Sequence, residues 1–129
     1  MSRIVIAVVF FAVAASAQIT NSDVVGVWKG TSLCTVKPSP CHDETVVYHF
    51  TAPAEKKGRL KLSADKIVNG KEEWMGDLDC DVHAEKSTIT CDIKGRPVWQ
   101  FAVEGDAMSG TLVLEDGTLY RKIEVKRQK

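Results

Sequence analysis

Beyond residue 18, no stretch of the sequence repeats its apolar residues at helical spacing. They alternate with polar ones instead, and tight-turn residues interrupt the alternation at regular intervals. This pattern predicts eight strands, near 24–33, 44–52, 59–68, 71–83, 87–94, 98–104, 107–115 and 118–126. Asp116-Gly117 and Gly105-Asp106 suit two-residue hairpin turns, Gly95-Arg96-Pro97 a tight turn, and Asn69-Gly70 another. Short connections force sequential strands to lie antiparallel. Eight such strands can close on themselves and abolish both sheet edges. The expected fold is all-β: an eight-stranded antiparallel up-and-down (meander) β-barrel with two disulfides.

Register tests the expectation. With Asp116-Gly117 as loop, Leu114 opposes Leu119, Leu112 opposes Arg121, and Gly110 opposes Ile123. With Gly105-Asp106 as loop, Val103 opposes Met108, Phe101 opposes Gly110, and Trp99 opposes Leu112. All of these fall on one face, apolar except for Arg121, while Gln100, Ser109, Thr111, Lys122, Glu124 and Lys126 take the other. A four-residue loop over 84–87 sets Cys80 opposite Cys91 on the face of Leu78, Val82, Ile89 and Ile93. A two-residue loop at Asn69-Gly70 would instead put Leu60 and Leu62 on the face of Asp79 and Asp77. One extra residue restores Leu62 against Leu78 and Leu60 against Cys80, so a glycine bulge is predicted near Asn69-Gly70-Lys71.

Residues 1–17 read as a secretory signal peptide. Arg3 is the positive start, Ile4 to Ala15 the apolar run, and Ala15-Ser16-Ala17 the small-residue cleavage site. The run is too short for a membrane anchor. Residues 18–129 form one domain, secreted or periplasmic. Of the 17 basic and 17 acidic residues only Arg3 lies in the leader. The remainder is near neutral, which argues against nucleic acid as a partner. All four cysteines follow the leader, and an even count in an oxidising compartment reads as two disulfides. The local pairing, Cys34 with Cys41 and Cys80 with Cys91, is favoured because it suits the hairpins.

Candidate chemistry is sparse. Cys34, Cys41, His42, Asp43 and Glu44 match no zinc spacing, and the compartment favours the disulfide. Asp77, Asp79, Asp81 and His83 begin like a calcium loop, but Val82 stands where glycine is needed and Thr88 where glutamate is. Strand alternation explains the run as a solvated outer face. His49 is a lone strand histidine pointing opposite to Tyr48 and Phe50. No nucleophile, base and orienting group converge. No enzyme, metal or cofactor is expected. The inward aromatics Tyr48, Phe50, Trp74, Trp99 and Phe101 are candidates to line a ligand cavity, or else to fill the barrel solid.

The segment GVWKG, with Gly26 and Trp28 early on the first strand, resembles the calycin superfamily of lipocalins and avidins. In those barrels the Trp closes one end and a late basic residue packs across it. The resemblance implies barrel closure by Gly26, Trp28 and Arg121, with Arg127 as the alternative. The small size, an early Cys and a short N-terminal arm, Gln18 to Asp23, are also similar to serralysin-type metalloprotease inhibitors. Three functions are therefore expected in order: a non-catalytic carrier of a small apolar ligand, a protein-binding module such as a protease inhibitor, and a structural envelope protein.

Overall fold

The computed structural model describes residues 5–10, 18–36, 40–53, 58–93 and 96–129. Residues 5–10 carry no regular structure and are exposed, and the expected cleavage site lies outside the described residues. A four-residue helix, α1 (Asn21–Val24), leads into eight strands: β1 (Gly26–Cys34), β2 (Glu44–Thr51), β3 (Arg59–Val68), β4 (Lys71–His83), β5 (Thr88–Ile93), β6 (Arg96–Glu104), β7 (Ala107–Val113) and β8 (Leu119–Arg127). They form a closed barrel in sequence order, every pairing antiparallel, with β8 returning to β1.

The predicted registers hold where turn chemistry sets them. Glu104 pairs with Ala107 around Gly105-Asp106, and Val103–Met108, Phe101–Gly110 and Trp99–Leu112 follow. His83 pairs with Thr88 across 84–87, which brings Cys80 opposite Cys91. Both disulfides are local, Cys34–Cys41 and Cys80–Cys91. The second is fully buried. By loop entropy each contributes about 2.5–3 kcal/mol. The bridges fit an oxidising compartment, extracellular or periplasmic. No helix among the described residues is long and apolar enough to cross a membrane.

Four details depart from expectation. Arg96 and Pro97, expected in a tight turn with Gly95, lie within β6, where Ile93 pairs with Arg96, and Lys94 and Gly95 are outside the described residues. Asn69-Gly70 is a regular two-residue turn, with Val68 paired to Lys71 and φ positive at both turn residues. Such a turn matches the strand twist and needs no bulge. The extra residue sits instead inside β4. Ala64 pairs with Gly76 but Asp65 pairs with Trp74, so Met75 is unpaired. Leu60–Cys80 and Leu62–Leu78 are restored as predicted. Gly76, at φ 156, provides the backbone freedom for the bulge. Beyond it, inside and outside exchange along β4. At the β7–β8 turn, Leu112–Arg121 and Gly110–Ile123 hold, but a register shift pairs Val113 with Leu119 and leaves Leu114 in the loop. There Gly117 N–H donates to Leu114 O, and Asp116 accepts from Thr118 N–H.

The two barrel ends differ. At the lower end lie α1, the β4–β5 and β6–β7 turns, the start of β1 and the end of β8. Ile19, Val24 and Trp28 are buried there. The indole Nε1 of Trp28 donates to Val24 O at 2.8 Å. Ile19 N–H donates to Ala84 O, and Asn21 donates to Arg59 O, so the N-terminal arm is folded onto the barrel. Above this plug, Phe50, Leu60, Leu62, Ile89, Phe101, Met108 and Ile123 fill the lower interior. Gly110 makes room for the Phe101 ring, which would lie 2.5 Å from an added Cβ. The upper end, framed by the β1–β2, β3–β4, β5–β6 and β7–β8 connections, is not filled in this way.

Candidate functional site: the open barrel mouth

Trp28 and Arg121 are at opposite ends. Antiparallel closure sets Trp28 against Arg127 and Cys34 against Arg121. Six residues of strand separate the two positions, about 20 Å. The closing cation is therefore Arg127, whose guanidinium lies 4.5 Å from the Trp28 ring centroid. Arg127 also donates to the carbonyls of Val25 and Asp23 and pairs with Asp106. Gly26, at φ 137, sits against the Arg127 guanidinium. Arg121 faces inward as the register predicts, but it belongs to the mouth.

The mouth encloses a cavity of about 400 Å³. Its walls are largely apolar: Leu62, Ala64, Leu78, Trp99 and Leu112. Met75 and Ile93 form a half-exposed rim. One corner is polar. The Arg121 side chain, only 12% exposed, reaches Glu44 at 3.5 Å. It also donates to the carbonyl and the hydroxyl of Ser32, each at 3.2 Å. Tyr48 faces this corner from β2. Burial, reinforced by Glu44 and opposed by Arg121, raises the Tyr48 pKa far above the usual phenol range, so it stays protonated.

Of the five aromatics predicted to line a cavity, Tyr48 and Trp99 do so. Phe50 and Phe101 lie inward but outside that lining. The Phe101 ring packs edge-on against Tyr48 at 5.9 Å and Phe50 at 6.1 Å. Trp74 is outside the barrel, 67% exposed, because the bulge at Met75 reverses its face. Its indole donates to Asp77 at 3.0 Å. Ser32 was not among the sequence candidates, and Glu44 was weighed only as a metal ligand. Both stand on the strand positions that flank the long β1–β2 loop, where alternation alone gives no ligand signal.

Four of the remaining candidates find ordinary partners. Asp43 accepts from the Cys34 N–H. Asp77 pairs with Lys61 and Asp81 with Arg59 on the outer face. His83 bonds Thr90. A larger outer depression, about 580 Å³, crosses β5–β8. Hydroxyl and amide side chains such as Thr88, Thr90, Gln100 and Thr111 pave it, and it lacks the apolar enclosure of a small-molecule pocket. A search found no matching protein-family model, curated protein or solved structure.

Proposed function

We propose that the protein is a non-catalytic, secreted or periplasmic binding protein that holds a small, mostly apolar molecule in its barrel mouth. The carrying observation is the mouth cavity of about 400 Å³ above the buried apolar cluster of the lower interior. That size falls within the usual ligand-pocket range of roughly 300–1,000 Å³. The polar corner of Ser32, Glu44 and Arg121 would orient the ligand, and the apolar walls would supply affinity. Binding rather than catalysis is supported by the engagement of Glu44 with Arg121 and the protonated state of Tyr48. A barrel plugged at the Trp28 end and open at the other supports the calycin likeness. The leader over 1–17 belongs to the same reading, and the disulfides support it.

Native mass spectrometry of protein purified from its source tests the proposal, together with a fluorescent apolar probe. A bound small molecule should be present. Ala64→Trp, which fills the mouth, should abolish probe binding without unfolding the barrel. Absence of any bound molecule, with probe binding unchanged in Ala64→Trp, would overturn the reading. The protease-inhibitor alternative rested on size, secretion, disulfides and a free N-terminal arm over Gln18 to Asp23. Within that arm Ile19 is buried against the barrel, which weakens the last of these four supports.

A further inference from the structure

Outside the barrel, below the β3–β4 hairpin, three adjacent strands bring His49, Asp65 and Glu72 together. The His49 Nε2 lies 3.3 Å from Asp65 Oδ2 and 3.2 Å from Glu72 Oε2. We propose that this cluster is a binding site for a divalent first-row transition ion, with Zn²⁺ as its representative, independent of the mouth.

The donor spacing is the first argument. Zinc bonds to nitrogen and oxygen are about 2.0–2.1 Å, so the edge of a zinc tetrahedron is about 3.3 Å. Both measured separations match that edge, and all three donor atoms lie within 4.8 Å of one another. An ion could sit between them with little side-chain movement.

Charge is the second argument. Asp65 Oδ2 and Glu72 Oε2 both lie against the same imidazole nitrogen, at 3.3 and 3.2 Å, so an ion held by that nitrogen would meet both carboxylates. Two carboxylates and a neutral imidazole balance a divalent ion. The imidazole nitrogen favours a transition ion over Mg²⁺ or Ca²⁺, which prefer all-oxygen shells. Lys29 faces Glu72 more weakly and would be the main opposing charge.

The bulge is the third argument. By uninterrupted alternation from Leu78, Glu72 would point inward. The unpaired Met75 reverses that parity and sends Glu72 out beside Asp65 and His49. Bulges re-aim side chains in this way and concentrate near functional sites. Exposure is graded, with Asp65 14%, His49 36% and Glu72 48% exposed. One side is therefore open for water as a fourth ligand and for exchange of the ion.

Isothermal titration of tag-free, chelator-stripped protein with Zn²⁺ at neutral pH tests the proposal. One ion per chain should bind, unaffected by millimolar Mg²⁺ or Ca²⁺. His49→Ala and Glu72→Gln should each weaken binding by about tenfold or more, because each removes one of three protein donors. His83→Ala should leave it unchanged. Co²⁺ should give a visible absorption band that His49→Ala abolishes, and Zn²⁺ should raise the Tm of the parent chain but not of that variant. If His49→Ala fails to fold, the half-exposed Glu72→Gln decides. No saturable binding below millimolar Zn²⁺, or parent affinity retained in both variants, would overturn the site.

Discussion

Replacing Arg127 with Met should cost about 3 kcal/mol. The guanidinium stacks at 4.5 Å on the fully buried Trp28, and a partly desolvated cation–π contact is worth about 1–2 kcal/mol. It also donates to two backbone carbonyls, Val25 at 2.9 Å and Asp23. Hydrogen bonds from charged groups are worth about 1.5–3 kcal/mol each, but water can reach the 22%-exposed side chain and offset part of this. The Asp106 pair adds little, because Asp106 is exposed. Met keeps apolar cover over the indole, so the loss falls on charge and hydrogen bonding. For a domain of this size the Tm should fall by about 12 °C. The assay is thermal and urea unfolding in a Trp74→Phe, Trp99→Phe background, where Trp28 alone reports. A cycle with Trp28→Phe, followed by circular dichroism in the parent background, should give a coupling of about 1 kcal/mol. Arg121→Met should leave the Trp28 emission unchanged. A loss below about 1 kcal/mol for Arg127→Met would refute the clasp, as would a larger loss for Arg121→Met.

Gly30→Ala should destabilise the barrel by about 3 kcal/mol or more, measured by urea unfolding, because the added Cβ would lie 1.8 Å from the Glu124 carbonyl oxygen. Removing the buried bridge with Cys80→Ala/Cys91→Ala should cost about 3 kcal/mol by the same measurement. Trp74→Phe should raise the Asp77 pKa in a carboxyl NMR titration, since the indole donor is the largest cause of its depression, ahead of Lys61 and Ser63. A depressed carboxyl stabilises above its unfolded pKa and loses that contribution as pH falls through its folded value. The variant should therefore have less of this contribution to lose, and its loss should be complete at a higher pH on acidification.

Much of this barrel was legible because local signals agreed. Gly105-Asp106 and the loop at 84–87 set register by turn chemistry, and inward Val103, Phe101 and Cys80 followed. What escaped had no local signal. A bulge inside β4 leaves no turn residue to mark it except Gly76, and misplacing it put Trp74 inside the barrel. The same parity error hid Glu72 from His49 and Asp65. The choice between Arg121 and Arg127 depended on the register of β1 against β8, which no turn connects. The apolar face could be read for both arginines, but their height along the barrel axis could not. The mouth was half visible: Tyr48 and Trp99 were named, whereas Ser32 and Glu44 became partners of Arg121 only through closure.

That seam has a kinetic consequence. Every other strand pair is a hairpin between chain neighbours, so each can zip from its own turn. The β1–β8 pair must wait for a loop spanning nearly the whole domain, and its closure entropy slows the last step rather than the first. Until then two open edges are available to other chains. Gly30 lets the strands approach and Arg127 latches them, which makes both residues guardians against intermolecular pairing during folding as well as parts of the finished wall.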